Sequence, residues 1–158
     1  MKKAPKIILR RSKIHGRGVF AIARIKEGEE ICEYQGKLVT HEEADDRYGG
    51  EDDGHTFLFI LNKQWVVDGN VGGNIARWIN HGCAPNSEAV PVTAPGRDRR
   101  KDKIVITAVR DIAKGEELTY DYEIEVDHRI TKAERALWAC RCGSPKCLGT
   151  MLTFKGRM

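Results

Sequence analysis

Three cysteines crowd into Cys140-Arg-Cys142-Gly-Ser-Pro-Lys-Cys147. Thiols at that spacing can converge on one Zn²⁺, and a tetrahedral structural site needs a fourth ligand. Cys83 is the natural candidate because it sits in a polar loop; Cys32, His81 and His128 are the other choices. Cys32 lies in the strand-like run Glu30-Ile-Cys-Glu-Tyr34, where a small buried hydrophobe is the better reading. Gly143, Ser144, Pro145 and Gly149 punctuate the segment as a tight metal knuckle would. The competing reading is a flexible tail of reduced thiols. Five cysteines cannot all pair. The first ten residues carry charge but no sustained apolar region, so no export signal is expected, and metal binding is favoured over disulfides.

A second polar cluster is Arg77-Trp-Ile-Asn-His-Gly-Cys-Ala-Pro-Asn86. Asn80 and His81 place an amide beside an imidazole, and both can hydrogen-bond a polar ligand. Pro85 then forces the chain out of helix. In His15-Gly-Arg-Gly18, two glycines around Arg17 would let backbone approach a ligand closely. In Gly115-Glu-Glu-Leu-Thr-Tyr-Asp-Tyr122, Tyr120 and Tyr122 should project to one face of a strand. Two adjacent phenols either pack with wetted hydroxyls or position a polar group.

Mostly strands must hold these residues. The segments 18–23, 57–61, 65–67 and 104–109 are short β-favouring runs bounded by polar residues or glycine. Thr40-His-Glu-Glu43 reads as a capping box for a helix running to about Tyr48 and ending at Gly49-Gly50. Short helices are expected over 74–79 and, after Thr131, over 132–137. The pattern is that of a β-rich α+β domain. The chain repeats itself once: Ile25-Lys-Glu-Gly-Glu-Glu-Ile31 matches Ile112-Ala-Lys-Gly-Glu-Glu-Leu118. Two hairpin-like corners are expected, with Gly28 and Gly115 at positive φ. Each corner is followed by a tyrosine-bearing strand, over 33–36 and 120–122.

Composition bounds the rest. A chain of 158 residues, 41% hydrophobic and 32% charged, is expected to form one domain, at most with a small appendage, and not a disordered segment. No run approaches the roughly 20 apolar residues of a membrane span. A net charge of +4 is small, and the aromatic residues do not interleave with the basic ones, so nucleic-acid binding is not expected. Residues 42–53 form an acidic stretch and 97–103 a basic one. Each alone reads as a solvated face.

Taken in order, Gly-Arg-Gly-Val-Phe20, Glu33-Tyr-x-Gly36, Arg77-x-x-Asn-His-x-Cys-x-Pro-Asn86, Gly115-Glu-Glu-Leu-Thr-Tyr-Asp-Tyr122 and Cys-x-Cys-x4-Cys147 resemble the SET-domain protein lysine methyltransferases with a cysteine-rich post-SET segment. The likeness covers about Ile7 to Leu152. It implies a β-clip-like fold of several small sheets, a SET domain over 7–125 and a C-terminal helix with post-SET cysteines over 126–158. His15, Gly16 and Arg17 look like the loop holding the methionine end of S-adenosylmethionine, and Asn80 and His81 like the pair that contacts its amino group and adenine. Tyr122 looks like the catalytic tyrosine beside the transferred methyl, and Tyr34 like the second tyrosine of the lysine channel. Tyr120 stands where the family sets how many methyls fit; a tyrosine there implies mono- or dimethylation. Cys83, Cys140, Cys142 and Cys147 look like ligands of a structural zinc, and Leu148 and Met151 like adenine-side walls.

The chain departs from the pattern at Gly82, where Ser is frequent, and at Trp78, where Phe or Leu is frequent. An aromatic cofactor contact before the strand near Phe57 is left unassigned, because His55 stands there. The expected substrate is a lysine-containing protein, a histone tail or another basic protein, with the acidic 42–53 segment contributing to its groove. The resemblance places the protein inside the cell, at chromatin in a eukaryote or in the cytoplasm of a bacterium. A catalytically inactive SET fold that only binds peptide is the alternative.

Overall fold

The two Gly-Glu-Glu corners meet at the centre of the molecule. Ile25 and Ile112 form an antiparallel bridge, and each amide donates to the other's carbonyl at 2.9 and 2.8 Å. The bonds around them repeat under a twofold exchange. Gly28 N–H donates to the Ala108 carbonyl and Gly115 N–H to the Ala21 carbonyl, at 2.8 and 2.7 Å. Ala108 N–H returns to Glu29 and Ala21 N–H to Glu116, at 3.0 and 2.9 Å. Gly28 and Gly115 take φ of +83° and +95°, the left-handed region that favours glycine. The two expected hairpin-like corners therefore pair with each other.

This computed structural model describes residues 5–48, 57–126 and 128–154. Strands β1 (Ile7–Arg11) and β2 (Arg17–Ala21) form an antiparallel hairpin. Strands β3 (Glu30–Glu33), β8 (Ser87–Val92) and β9 (Lys103–Ala108) form a sheet with β9 central. Strands β4 (Lys37–Thr40), β5 (Leu58–Ile60) and β6 (Trp65–Asp68) form another with β6 central. Two short parallel pairs join β7 (Asn80–His81) to β10 (Thr119–Tyr120) and β11 (Ile124–Val126) to β12 (Leu152–Phe154). This is the expected β-rich set of small sheets.

Helix α1 (His41–Tyr48) starts where Thr40 Oγ1 accepts the Glu43 amide at 3.1 Å. Its expected stop at Gly49-Gly50 lies outside the described residues. Helix α2 (Lys132–Leu137) carries a reciprocal capping box between Thr131 and Glu134. Residues Ile75–Trp78 form a 3-10 turn, not α-helix. Only four residues separate the Asn74 cap from Ile79, which is already extended as it enters β7.

Alternation in β9 buries Ile104, Ile106 and Ala108. They share one core with Val19, Ile25, Ile112 and Leu118, and Tyr34 and Tyr120 belong to the same cluster. Asp68, at the end of β6, is 0% exposed. It accepts the Tyr48 hydroxyl at 2.8 Å and the Asn70 amide at 2.9 Å, with Arg47 at 3.7 Å. These contacts lock α1 onto the second three-stranded sheet. The β11–β12 pair ties the C-terminal segment to the rest of the fold.

Candidate active site

The β7–β10 pair sets Asn80 beside Thr119 and His81 beside Tyr120. Gly82 N–H extends the pairing to the Tyr120 carbonyl at 3.1 Å. A Cβ on Gly82 would come within 2.7 Å of the Thr119 side chain, so serine there requires that side chain to move. The strand expected to carry both Tyr120 and Tyr122 ends at Tyr120. Asp121 Oδ1 accepts the Glu123 amide at 2.8 Å, Glu123 takes φ +53°, and this turn displaces Tyr122 from the strand. The two rings still lie 4.9 Å apart at 44°. Phe59 spans the distance to Tyr34, with ring centroids 6.1 Å from Tyr120 and 5.3 Å from Tyr34.

The three phenols use their hydroxyls differently. Tyr34 donates to the Phe57 carbonyl at 2.8 Å and Tyr122 to the Ile79 carbonyl at 2.5 Å. Their oxygens therefore keep lone pairs to accept from an incoming group. The Tyr120 hydroxyl bonds to no described residue. No buried polar atom among the described residues lacks a partner, so its oxygen retains solvent access. Burial pushes all three phenols well above their ordinary range, and for Tyr120 and Tyr122 neighbouring phenols add to the effect. They stay protonated at neutral pH and act as hydrogen-bonding groups, not as bases.

A cleft of about 780 Å³ opens in front of Tyr122. Phe59, Ile124 and Trp138 supply apolar wall, and Asp45, Glu88, Asp121 and Glu123 supply carboxylates. Of the acidic 42–53 segment, α1 brings Asp45 to this cleft; 49–53 and His55 lie outside the described residues.

Asn80 Nδ2 reaches the loop between β1 and β2. It is 3.2 Å from the His15 carbonyl, 3.0 Å from the Arg17 carbonyl, 3.2 Å from Ser12 Oγ and 2.9 Å from Glu117 Oε2. Four acceptors fix which end of the amide is nitrogen. Gly16 takes φ +42° with open space around it. Gly18 has another cause than close approach to a ligand: a Cβ there would fall 2.3 Å from Glu117 Oε2 and 3.0 Å from Ser12 Cβ. Ser12 and Glu117 were not among the expected site residues. No signal in the sequence pairs Gly18 with a carboxylate 99 positions on, so nothing there pointed to them.

His81 Nδ1 accepts the Tyr122 amide at 3.1 Å, and its Nε2 lies 3.7 Å from Cys83 Sγ. Burial lowers its pKa, so the ring is neutral with its proton on Nε2, facing the sulfur. The Asp121 carboxylate at 3.8 Å is then a neighbour and not an ion-pair partner.

The sulfurs of Cys83, Cys140, Cys142 and Cys147 all lie within 4.8 Å of one another. Among the described residues these four stand together, with Cys32 and His128 outside the group. Cys32 packs against the core, its thiol pushed up to about 12 by burial, and His128 faces Glu134 at 2.8 Å. Backbone amides already point at the sulfurs: Leu148 at Cys83 and Gly149 at Cys147, both at 3.5 Å. Burial raises the Cys83 and Cys140 thiols. It opposes ionisation of Cys142 too, but amides of Cys83 and Ser144 and the thiols of Cys147 and Cys140 overcome it and bring Cys142 down to about 7. Four convergent thiols with amide support fit a tetrahedral Zn²⁺. Leu148 is 64% exposed beside this cluster, and Met151 is half-buried.

A family profile described as the SET domain matches residues 16–123, and the chain belongs to that family. It is 41% identical over 141 residues to the H3 lysine-4 specific histone-lysine N-methyltransferase of Schizosaccharomyces pombe, covering 87% of this chain and 14% of that protein. Against the Saccharomyces cerevisiae protein of the same description it is 38% identical over 151 residues, covering 94% and 13%. Among solved structures, ctPRC2 in an autoinhibited conformation bound to S-adenosylmethionine matches with a TM-score of 0.68 at 33% identity, over 76% of this chain and 15% of that one. The chain thus spans about one seventh of the length of these relatives.

Proposed function

We propose that this chain is an S-adenosylmethionine-dependent protein-lysine methyltransferase. One observation carries the reading: Tyr34, Tyr120 and Tyr122 cluster around Phe59, Tyr122 opens onto an acidic cleft, and two of the three have spent their protons on backbone carbonyls. Oxygens so arranged can accept N–H bonds from a lysine amine and aim its lone pair. A bound S-adenosylmethionine would supply an electrophilic methyl on a sulfonium. A lysine with an ordinary pKa of about 10.4 enters protonated and cannot attack. An apolar channel beside a positive sulfonium disfavours the ammonium, so the proton leaves to solvent before the nitrogen attacks. Because burial keeps the phenols protonated, none of them takes that proton. Their contribution is alignment, which can supply several kcal/mol.

The loop at His15, Gly16 and Arg17 with Asn80 would hold the methionine end of the cofactor. The His81 ring is already engaged by Tyr122 and Cys83, so its contact to the nucleoside would come from its backbone. Cys83, Cys140, Cys142 and Cys147 would bind one structural zinc, tying the Asn80-His81 loop to the C-terminal segment. The relatives' names, together with Asp45, Glu88, Asp121 and Glu123 around the cleft, support a histone tail or another basic protein as substrate. Such a substrate would place the protein at chromatin in a eukaryote and in the cytoplasm of a bacterium. Tyr120 favours mono- or dimethylation.

The test is incubation with labelled S-adenosylmethionine and a mixture of histones and other basic proteins. Label on lysine is expected. Cofactor binding without any label would instead indicate an inactive peptide-binding SET fold.

A further inference from the structure

Glu117 has been given no part in the reaction, yet its carboxylate holds three segments together around Asn80. Its carboxylate accepts the Ser12 hydroxyl at 2.7 and 2.9 Å and the Asn80 amide at 2.9 Å. Ser12 Oγ in turn accepts the amides of Ile14 at 3.0 Å and His15 at 3.4 Å, and Ser12 N–H closes the loop on the Gly16 carbonyl at 2.8 Å. The carboxylate fills the space that a side chain at Gly18 would take. One side chain therefore fixes the 12–17 loop from beneath and sets the rotamer of Asn80. With Nδ2 engaged, Asn80 Oδ1 accepts from no described residue. That oxygen is the acceptor left for a cationic group.

We propose that Glu117 is a positioning residue for cofactor binding: it orders the 12–17 loop and turns Asn80 so that Oδ1 presents to the α-ammonium of S-adenosylmethionine. The inference rests on the methyltransferase reading and adds a residue and a role to it. Charge-assisted hydrogen bonds of this kind are worth more than neutral ones. Losing the carboxylate frees the loop and lets the Asn80 amide turn.

The experiment measures S-adenosylhomocysteine affinity by calorimetry, and KM for S-adenosylmethionine and kcat on a lysine-containing substrate peptide, in Glu117→Ala, Glu117→Gln and Ser12→Ala. Glu117→Ala should weaken binding and raise KM by about tenfold or more, with a much smaller change in kcat. Glu117→Gln keeps the shape and one acceptor oxygen but turns the other into a donor, so it should recover only part of the affinity. Ser12→Ala should weaken binding several-fold, and the double variant should add little beyond Glu117→Ala, because both act through one network. If Glu117→Ala fails to fold, Ser12→Ala alone decides. Wild-type affinity in Ser12→Ala and in any folded Glu117→Ala would overturn the assignment. Failure of the unaltered protein to bind S-adenosylhomocysteine would overturn the methyltransferase reading itself, and this inference with it.

Discussion

Replacing Tyr120 by Phe separates the roles of three neighbouring phenols. Tyr120 is 5% exposed and Tyr34 is 4% exposed, so burial alone does not distinguish them. Their hydroxyls do. Tyr34→Phe removes the bond to the Phe57 carbonyl, and Tyr122→Phe removes the bond to Ile79. Each should cost about 1 kcal/mol, rising toward about 3 where the abandoned carbonyl stays dry. Tyr120→Phe breaks no bond to a described residue and should cost less than about 0.5 kcal/mol. In a domain of 158 residues that is a shift in Tm of under roughly 2 °C. The functional effect should be larger. A hydroxyl that keeps solvent access can hold a water, which occupies about 30 Å³, close to the room another methyl needs. A change of about 1.4 kcal/mol in the barrier to the next transfer shifts its rate tenfold. Mass spectrometry of a substrate peptide should therefore show a shift to higher methylation, with trimethyl product enriched about tenfold over wild type. An unchanged product distribution, or a loss of Tm equal to that of Tyr34→Phe, would refute the reasoning.

Zinc removal by a chelator, followed by metal analysis, should lower the Tm and abolish most methyl transfer, because Cys83 lies two residues past His81. Full activity in metal-free protein would break the proposed link between the cysteines and the active site. Asp68→Ala should destabilise the domain by about 2–4 kcal/mol in urea titration, since the Tyr48 hydroxyl and the Asn70 amide lose a buried acceptor. A cost below about 0.5 kcal/mol would mean that α1 is held by other contacts.

Much of this site is legible from residue order. The cysteine spacing and the polar context of Cys83 lead to four sulfurs that the fold brings together. The repeated Gly-Glu-Glu corners announce their positive φ values, because few other residues adopt them. Their mutual pairing is invisible in sequence, since a bridge between Ile25 and Ile112 depends on how 86 intervening residues fold back. The strand at Tyr120 is shorter than its alternation predicts, for a local reason. Alternation extends it to Tyr122, but the Asp121 side chain captures the Glu123 amide and turns the chain first. Gly18 makes room for Glu117 and not for a ligand, a long-range packing relation that no short window contains.

Methyl transfer to lysine at the Tyr34–Tyr122 site leaves a covalent mark that can be read on the substrate. The most direct measurement is tandem mass spectrometry of histones incubated with the purified protein and isotopically labelled S-adenosylmethionine, with Tyr122→Phe as control. Label is expected on lysine side chains, chiefly as mono- and dimethyl forms, with most of it lost in the control. Label absent from lysine, or equal in the control, would contradict it.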